Sequence, residues 1–126
     1  MSTHINDLRW STALATGVYP STVVASTHGP TVDLGAINGD GPSFAIQHIG
    51  ALEEDGTLDG RIEQSADGNS WSAISGTAFA QVSASNDLQT IRFMRAMRYI
   101  RWAATIAGSS PIFSIGVLFG SQKKTF

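Results

Sequence analysis

The stretch TLDGRIEQSADGNSW, Thr57 to Trp71, alternates and then turns. Leu58, Gly60, Ile62 and Gln64 fall on one face, and Thr57, Asp59, Arg61, Glu63 and Ser65 on the other. That is the period-two pattern of an antiparallel strand with one buried and one wet face. Asp67-Gly68 follows, and Asp-Gly between two alternating runs is a strong hairpin signal because glycine readily takes the positive φ that such turns need. The stretch therefore predicts a tight hairpin with Ile62 and Trp71 on its inner face. Asp67 and Gly68 serve the backbone in this reading, not a reaction.

The same pattern extends outward in both directions. TVDLG reads as a strand with Val32 and Leu34 on one face, and SFAIQHIG as another with Phe44, Ile46 and His48 together. Downstream, LQTIRF places Ile91 and Phe93 inward and Arg92 outward, and RYIRWAATIAG puts Ile100, Trp102, Ala104 and Ile106 on one face. IFSIGVLFG turns Phe113, Ile115, Val117 and Phe119 inward, while Ile112, Gly116 and Leu118 on its other face suggest cover on both sides. The rival is a helix over DLQTIRFMRAMRYIRW with Arg92, Arg95 and Arg98 three apart, but β-branched and aromatic density favours strands. About eight short strands with turn signals every ~8–12 residues predict an all-β antiparallel sandwich or jelly-roll-like domain over residues 31–126.

Residues 1–30 are rich in Ser, Thr and Ala and carry breakers at Gly17, Pro20, Gly29 and Pro30. They predict an extended N-terminal arm that docks through Trp10, Val18, Tyr19, Val23 and Val24, or else an ordinary first strand around Val23 to Ala25. At 126 residues the chain fits one domain. It lacks cysteine, which excludes disulfides and Cys-based zinc sites. Neither a signal-peptide pattern nor a membrane-length apolar run is present, so synthesis in the cytoplasm and no membrane contact are expected.

Charge is unevenly laid out. Met1 to Thr90 holds all ten acidic residues and only Arg9 and Arg61, a sum of −8; Ile91 to Phe126 holds six cations and no acid, giving the net −2. Such poles can attract copies of the chain to each other or meet another acidic protein, and they can equally pair locally between neighbouring strands. Arg92, Arg95, Arg98, Arg101, Lys123 and Lys124, with Trp10 and Tyr19 of the arm, are the candidate partner-interface residues.

Signals for chemistry are weak. His4, His28 and His48 have no metal-binding spacing, and His48 alternating with Phe44 and Ile46 reads as a buried or strand-end histidine. The acidic run EEDGTLDG lacks the EF-hand order and reads as a solvated loop. There is no Gly-x-Ser-x-Gly elbow and no phosphate-binding glycine pattern. The Arg92–Trp102 region mixes cations and aromatics, yet a pI near 5.8 argues against nucleic acid. No catalytic residue, metal or cofactor is expected.

DGTLDGRIEQSADGNSWSAI, followed by TIRFMRAMRYIRWAATIAGSSPIFSIGVLFG, resembles a group of small virion proteins of tailed bacteriophages. These read as a strand, DGT, a strand ending Q-S-x-D-G-x-x-W, an R-Y-[IV]-R strand and a final G-x-S-P-x-F-x strand, matched here from about Val32 to Gly120. The resemblance implies a capsid cement or decoration protein, a homotrimeric β-sandwich bound to the major capsid protein on the virion surface. It carries over no binding residues. The same pieces are similar to discoidin-type carbohydrate-binding sandwiches, which share S-x-D-G-x-x-W and R-Y-[IV]-R. A head-fibre or tail component with this sandwich is a further alternative.

Overall fold

Alternating side chains separate into two layers when strands pair. The structure is a computed structural model that describes residues 12–35 and 42–122. It contains nine strands: β1 (Thr12–Val23), β2 (Thr27–His28), β3 (Val32–Asp33), β4 (Ser43–Glu53), β5 (Gly56–Ser65), β6 (Ser72–Ala73), β7 (Asp87–Phe93), β8 (Tyr99–Gly108) and β9 (Ile112–Gln122). One antiparallel sheet has the order β1-β9-β4-β7, the other β2-β8-β5-β6, with β3 also paired to β8. The chain changes sheet at every connection except β2–β3 and β5–β6. This is a β-sandwich with jelly-roll connectivity. Among the described residues there is no helix, and the Arg-rich stretch that rivals a strand divides into β7 and β8.

The core lies between the sheets. Ala45, Ile49, Phe113, Ile115, Val117 and Phe119 come from the first sheet, and Leu58, Ile62, Ile100, Trp102 and Ala104 from the second, all buried. Each large side chain among them stabilises the fold by about 1.5–3 kcal/mol on burial. Phe79 and Val82 add to this core from a segment alongside β5, where Phe79 N–H donates to the Gly60 carbonyl at 2.9 Å.

Two expectations are revised. The predicted arm over residues 1–30 is built into the sandwich where it is described, with β1 paired to β9 from Thr12↔Gln122 to Val23↔Phe113 and β2 paired to β8. Register shifts between Thr16 and Val18 and between Val18 and Ser21 absorb Gly17 and Pro20, which read as breakers, together with Tyr19. Pro is tolerated there because β1 is an edge strand. Trp10 lies outside the described residues.

The phase of β4 is also inverted. Ser43, Ala45, Gln47 and Ile49 face the core, Phe44 and Ile46 are half-buried on the outer side, and His48 is exposed. Both faces of this strand carry apolar residues, so alternation alone cannot choose between them. Packing chooses Gln47 as the inner residue. Its Oε1 accepts the Trp102 Nε1–H at 2.9 Å, and the space it occupies exists only because Gly60 opposite has no Cβ. Its Nε2 is buried without a hydrogen-bond partner.

On the side of β7, Gln89 ties the two layers together. Its Oε1 accepts from Ala80 N–H at 2.8 Å while its Nε2 donates to the Ala80 carbonyl at 3.0 Å and to Asp87 Oδ2 at 2.7 Å.

Candidate functional site

The Thr57–Trp71 stretch forms β5 and a loop of residues 66–71, longer than the tight turn expected, before β6 pairs back through Gln64↔Ser72. Gly68 does adopt positive φ, at 80°. Side chains build the rest of the loop. Asp67 Oδ1 accepts from the backbone N–H of Asn69 at 2.8 Å and of Ser70 at 3.0 Å, and from the Ser65 hydroxyl at 2.9 Å. The Ser70 and Asn69 amides, then the Ser65 hydroxyl, lower the Asp67 carboxyl to about 2. Every acceptor position used here holds the loop, so Asp67 is a structural residue.

Trp71 is not on the inner face. It lies half-exposed on the outer side of the second sheet, with the Arg101 guanidinium 4.4 Å above its ring. Beside it, Glu63 Oε1 accepts from Arg101 Nε at 2.7 Å and Oε2 from Arg61 Nε at 3.2 Å. Burial raises the Glu63 pKa, but the hydrogen bond and charge of Arg101, joined by Arg61, outweigh it and leave the carboxyl below its ordinary value. Arg98 forms a two-pronged pair with Asp33 at 2.7 and 2.8 Å and lies 5.4 Å from the Tyr99 ring. Asp33 raises the Arg98 pKa further through that hydrogen bond and charge. On this face the basic and acidic halves of the sequence meet, and their charges are answered within the chain.

The outer face of the first sheet is different. Register places Leu14, Gly120, Phe44 and Arg92 in one row across the four strands, Thr16, Leu118, Ile46 and Thr90 in the next, and Gly116, His48 and Leu88 in a third. Leu14 is 60% exposed, Leu88 66% and Leu118 37%. These rows hold no carboxylate; Glu53 stands at the far end of β4, opposite Ile112. Between β1 and β4 the face is hollowed into a groove of about 290 Å³ lined by Thr16, Tyr19, Pro20, Ile46, His48, Gly116 and Leu118, with Val18 and Val117 below. Tyr19 is 70% exposed at its edge.

Of the sequence-predicted interface residues, Tyr19 and Arg92 reach this face, while Arg98 and Arg101 lie on the opposite sheet. Arg95 sits in the β7–β8 connection, where its Nη1 donates to the Met97 carbonyl at 2.8 Å. Lys123 and Lys124 lie outside the described residues. Leu14 and Leu88 were not singled out from sequence, and Ile46, His48 and Leu118 were named there without being assigned to an interface; their signal is the second apolar face of IFSIGVLFG combined with the apolar alternation of SFAIQHIG.

A wider depression of about 620 Å³ opens at one end of the sandwich around Glu54, Asp55, Gly56, Ser83 and Gly108. Glu53, Glu54, Asp55 and Asp87 gather at this end, while Arg92, Arg95 and Arg98 lie at the other together with Asp33, which pairs with Arg98, and Asp67 of the β5–β6 loop. Among the described residues no three His, Asp or Glu side chains converge as metal ligands would. No protein-family model matches this sequence, and no curated protein matches it.

Proposed function

We propose that this chain is a non-enzymatic structural protein of a tailed bacteriophage particle, a cement or decoration protein that binds the major capsid protein on the outer shell and self-associates there. One observation carries the reading: a small two-layer sandwich with charges paired on one outer face leaves the other outer face apolar and exposed, with no carboxylate among the described residues of its three central rows. A sheet face of that composition suits contact with another protein. Copies repeated over a symmetric shell need little affinity each, because self-associated copies dock through effective concentration. The likeness of Asp55–Ile74 and Thr90–Gly120 to small virion proteins supports the same role.

The test mixes purified protein with undecorated shells and measures co-sedimentation against concentration, with solution mass measured in parallel. Saturable binding by a homotrimer is expected. A monomer that ignores the shells overturns the reading. The exposed Tyr19 ring favours one second reading, a carbohydrate-binding module, which retardation in polysaccharide-containing affinity gels would reveal.

A further inference from the structure

We propose that the outer face of the first sheet is where two copies of this chain meet, face to face about a two-fold axis that crosses the strands at Gly116. The inference rests on the self-association in the structural-protein reading and adds the surface, the symmetry and the contacts.

Charge sets the axis. Arg92 lies toward one end of this face and Glu53 at the other, and neither has a hydrogen-bond or ion-pair partner among the described residues. The row of Arg92 crosses β9 at Gly120, and Glu53 stands opposite Ile112, so Gly116 is midway, four residues from each. A two-fold axis across the strands at Gly116 reverses one face over the other and lays the basic end of each copy on the acid of its partner. The partner's Glu53 then lies above Phe44, one strand spacing of ~4.8 Å from Arg92 and within reach of it. An axis running along the strands would set like ends together and leave both charges unanswered.

Shape follows the same axis. On β9 the rotation places Leu118 over the partner's Ser114 and Ile112 over the partner's Gly120. On β4 it places Ile46 over the partner's Gly50, which shares the outer face with Ser114. Large side chains meet small ones, so the two sheets interdigitate as packed sheets do. His48 and Leu88 meet their own mates along the axis. At the centre Gly116 leaves a groove of about 290 Å³, and Tyr19, 70% exposed at its edge, is the ring that the rotation carries over the groove of the other copy. A Cβ at Gly116 would stand 3.8 Å from Pro20 Cγ, in ordinary contact, so the hollow exists because no side chain fills it.

Area is sufficient. The strands of this sheet have 12, 11, 11 and 7 residues. At ~3.3 Å a residue and ~4.8 Å between strands they lay out a face of roughly 650 Å². Pairing covers two such faces, roughly 1,300 Å², at the lower end of the ~1,200–2,000 Å² of standard interfaces. The contact is two-fold, so the unit that the chain forms, monomer or trimer, doubles as concentration rises.

The experiment follows solution mass by sedimentation from micromolar to millimolar concentration for the wild type, Gly116→Leu, Arg92→Glu, Glu53→Arg, the double variant Arg92→Glu/Glu53→Arg and, as a control on the opposite sheet, Ala107→Lys, each first checked for an unchanged melting temperature. Gly116→Leu fills the groove and should raise the concentration of half-doubling by about 30-fold, the effect of losing a hot-spot contact. Each single charge reversal sets like charges together and should raise it about 10-fold, and the double variant should restore the wild-type value. Ala107→Lys should double as the wild type does. A wild type that does not double, or doubling that Gly116→Leu and the single reversals leave unchanged, overturns the inference while shell binding still decides the structural reading. Single reversals that weaken doubling without recovery in the double variant overturn the axis. Retardation in a polysaccharide gel that Gly116→Leu abolishes, in a protein that does not double, gives the face to a sugar instead. Doubling that behaves as expected in a protein that ignores undecorated shells leaves the pairing standing and overturns the structural reading.

Discussion

Gln47 is an amide in an apolar interior with only one half satisfied, and replacing it by Met isolates what that half contributes. The side chain is fully buried between the sheets, its Oε1 bonded to Trp102 Nε1–H at 2.9 Å and its Nε2 unpaired. Gln47→Met keeps the linear shape that fits against Gly60 and so creates little cavity. The substitution strands the Trp102 N–H, at about 1–3 kcal/mol, and removes the stranded Nε2, a gain of the same size. The two nearly cancel, so Gln47→Met should change stability by no more than about 1 kcal/mol, or about 4 °C in melting temperature at this chain length. Gln47→Ala leaves the same Trp102 group unpaired and opens a void as well, and should cost about 2–5 kcal/mol. Urea unfolding followed by far-ultraviolet circular dichroism measures both. A loss of 3 kcal/mol or more in Gln47→Met would refute the reasoning, because it would mean that Nε2 has a strong partner in the folded protein.

Gly68 has φ of +80° and nothing within 4 Å of where a Cβ would stand, so its replacement is opposed by backbone conformation alone. Gly68→Val should cost about 1–3 kcal/mol and Gly68→Asn clearly less, since asparagine tolerates the left-handed region; equal costs in thermal melts would contradict this. Glu63 has a folded pKa below its unfolded value of 4.5, so its contribution is complete above that value and is lost as pH falls through the folded pKa. Glu63→Gln should lower stability at pH 7 by about 1–3 kcal/mol and flatten the acid limb of the stability curve, and denaturant midpoints from pH 7 to pH 3 compare the two proteins.

How much of this was legible depended on whether one face of a segment was decisively more apolar than the other. In β8, Ile100, Trp102 and Ala104 face the core as their alternation predicts, and in β9 Phe113, Ile115, Val117 and Phe119 do the same. In β4 the two faces compete, Phe44 and Ile46 against Ala45 and Ile49, and the deciding partner, Trp102, lies 55 residues away. In β1 the breakers Gly17 and Pro20 hid a strand because bulges that accommodate them are set by pairing with β9, which local sequence does not express. Trp71 read as an inner-face residue of the Asp-Gly hairpin, yet its ring is a platform for Arg101, a cation from the next strand but one. The groove on the outer face of the first sheet was illegible for the same reason: Tyr19, Ile46, His48 and Gly116 come from three strands that only the sheet order brings together.

The bond from Gln89 to Ala80 bears on how copies of this protein can meet. A side-chain primary amide presents the same donor and acceptor as a peptide group, and here it occupies the outward N–H and C=O of Ala80 as a neighbouring strand would. The segment beside β5 is thereby denied to any incoming chain at that position, which is how an open sheet margin is kept from recruiting strands. In the proposed shell-bound role, with copies standing close together, this would direct neighbours to meet through side chains on sheet faces, where contacts stay finite and reversible. Lateral strand addition has no natural stopping point, and Gln89 closes off one place where it would begin.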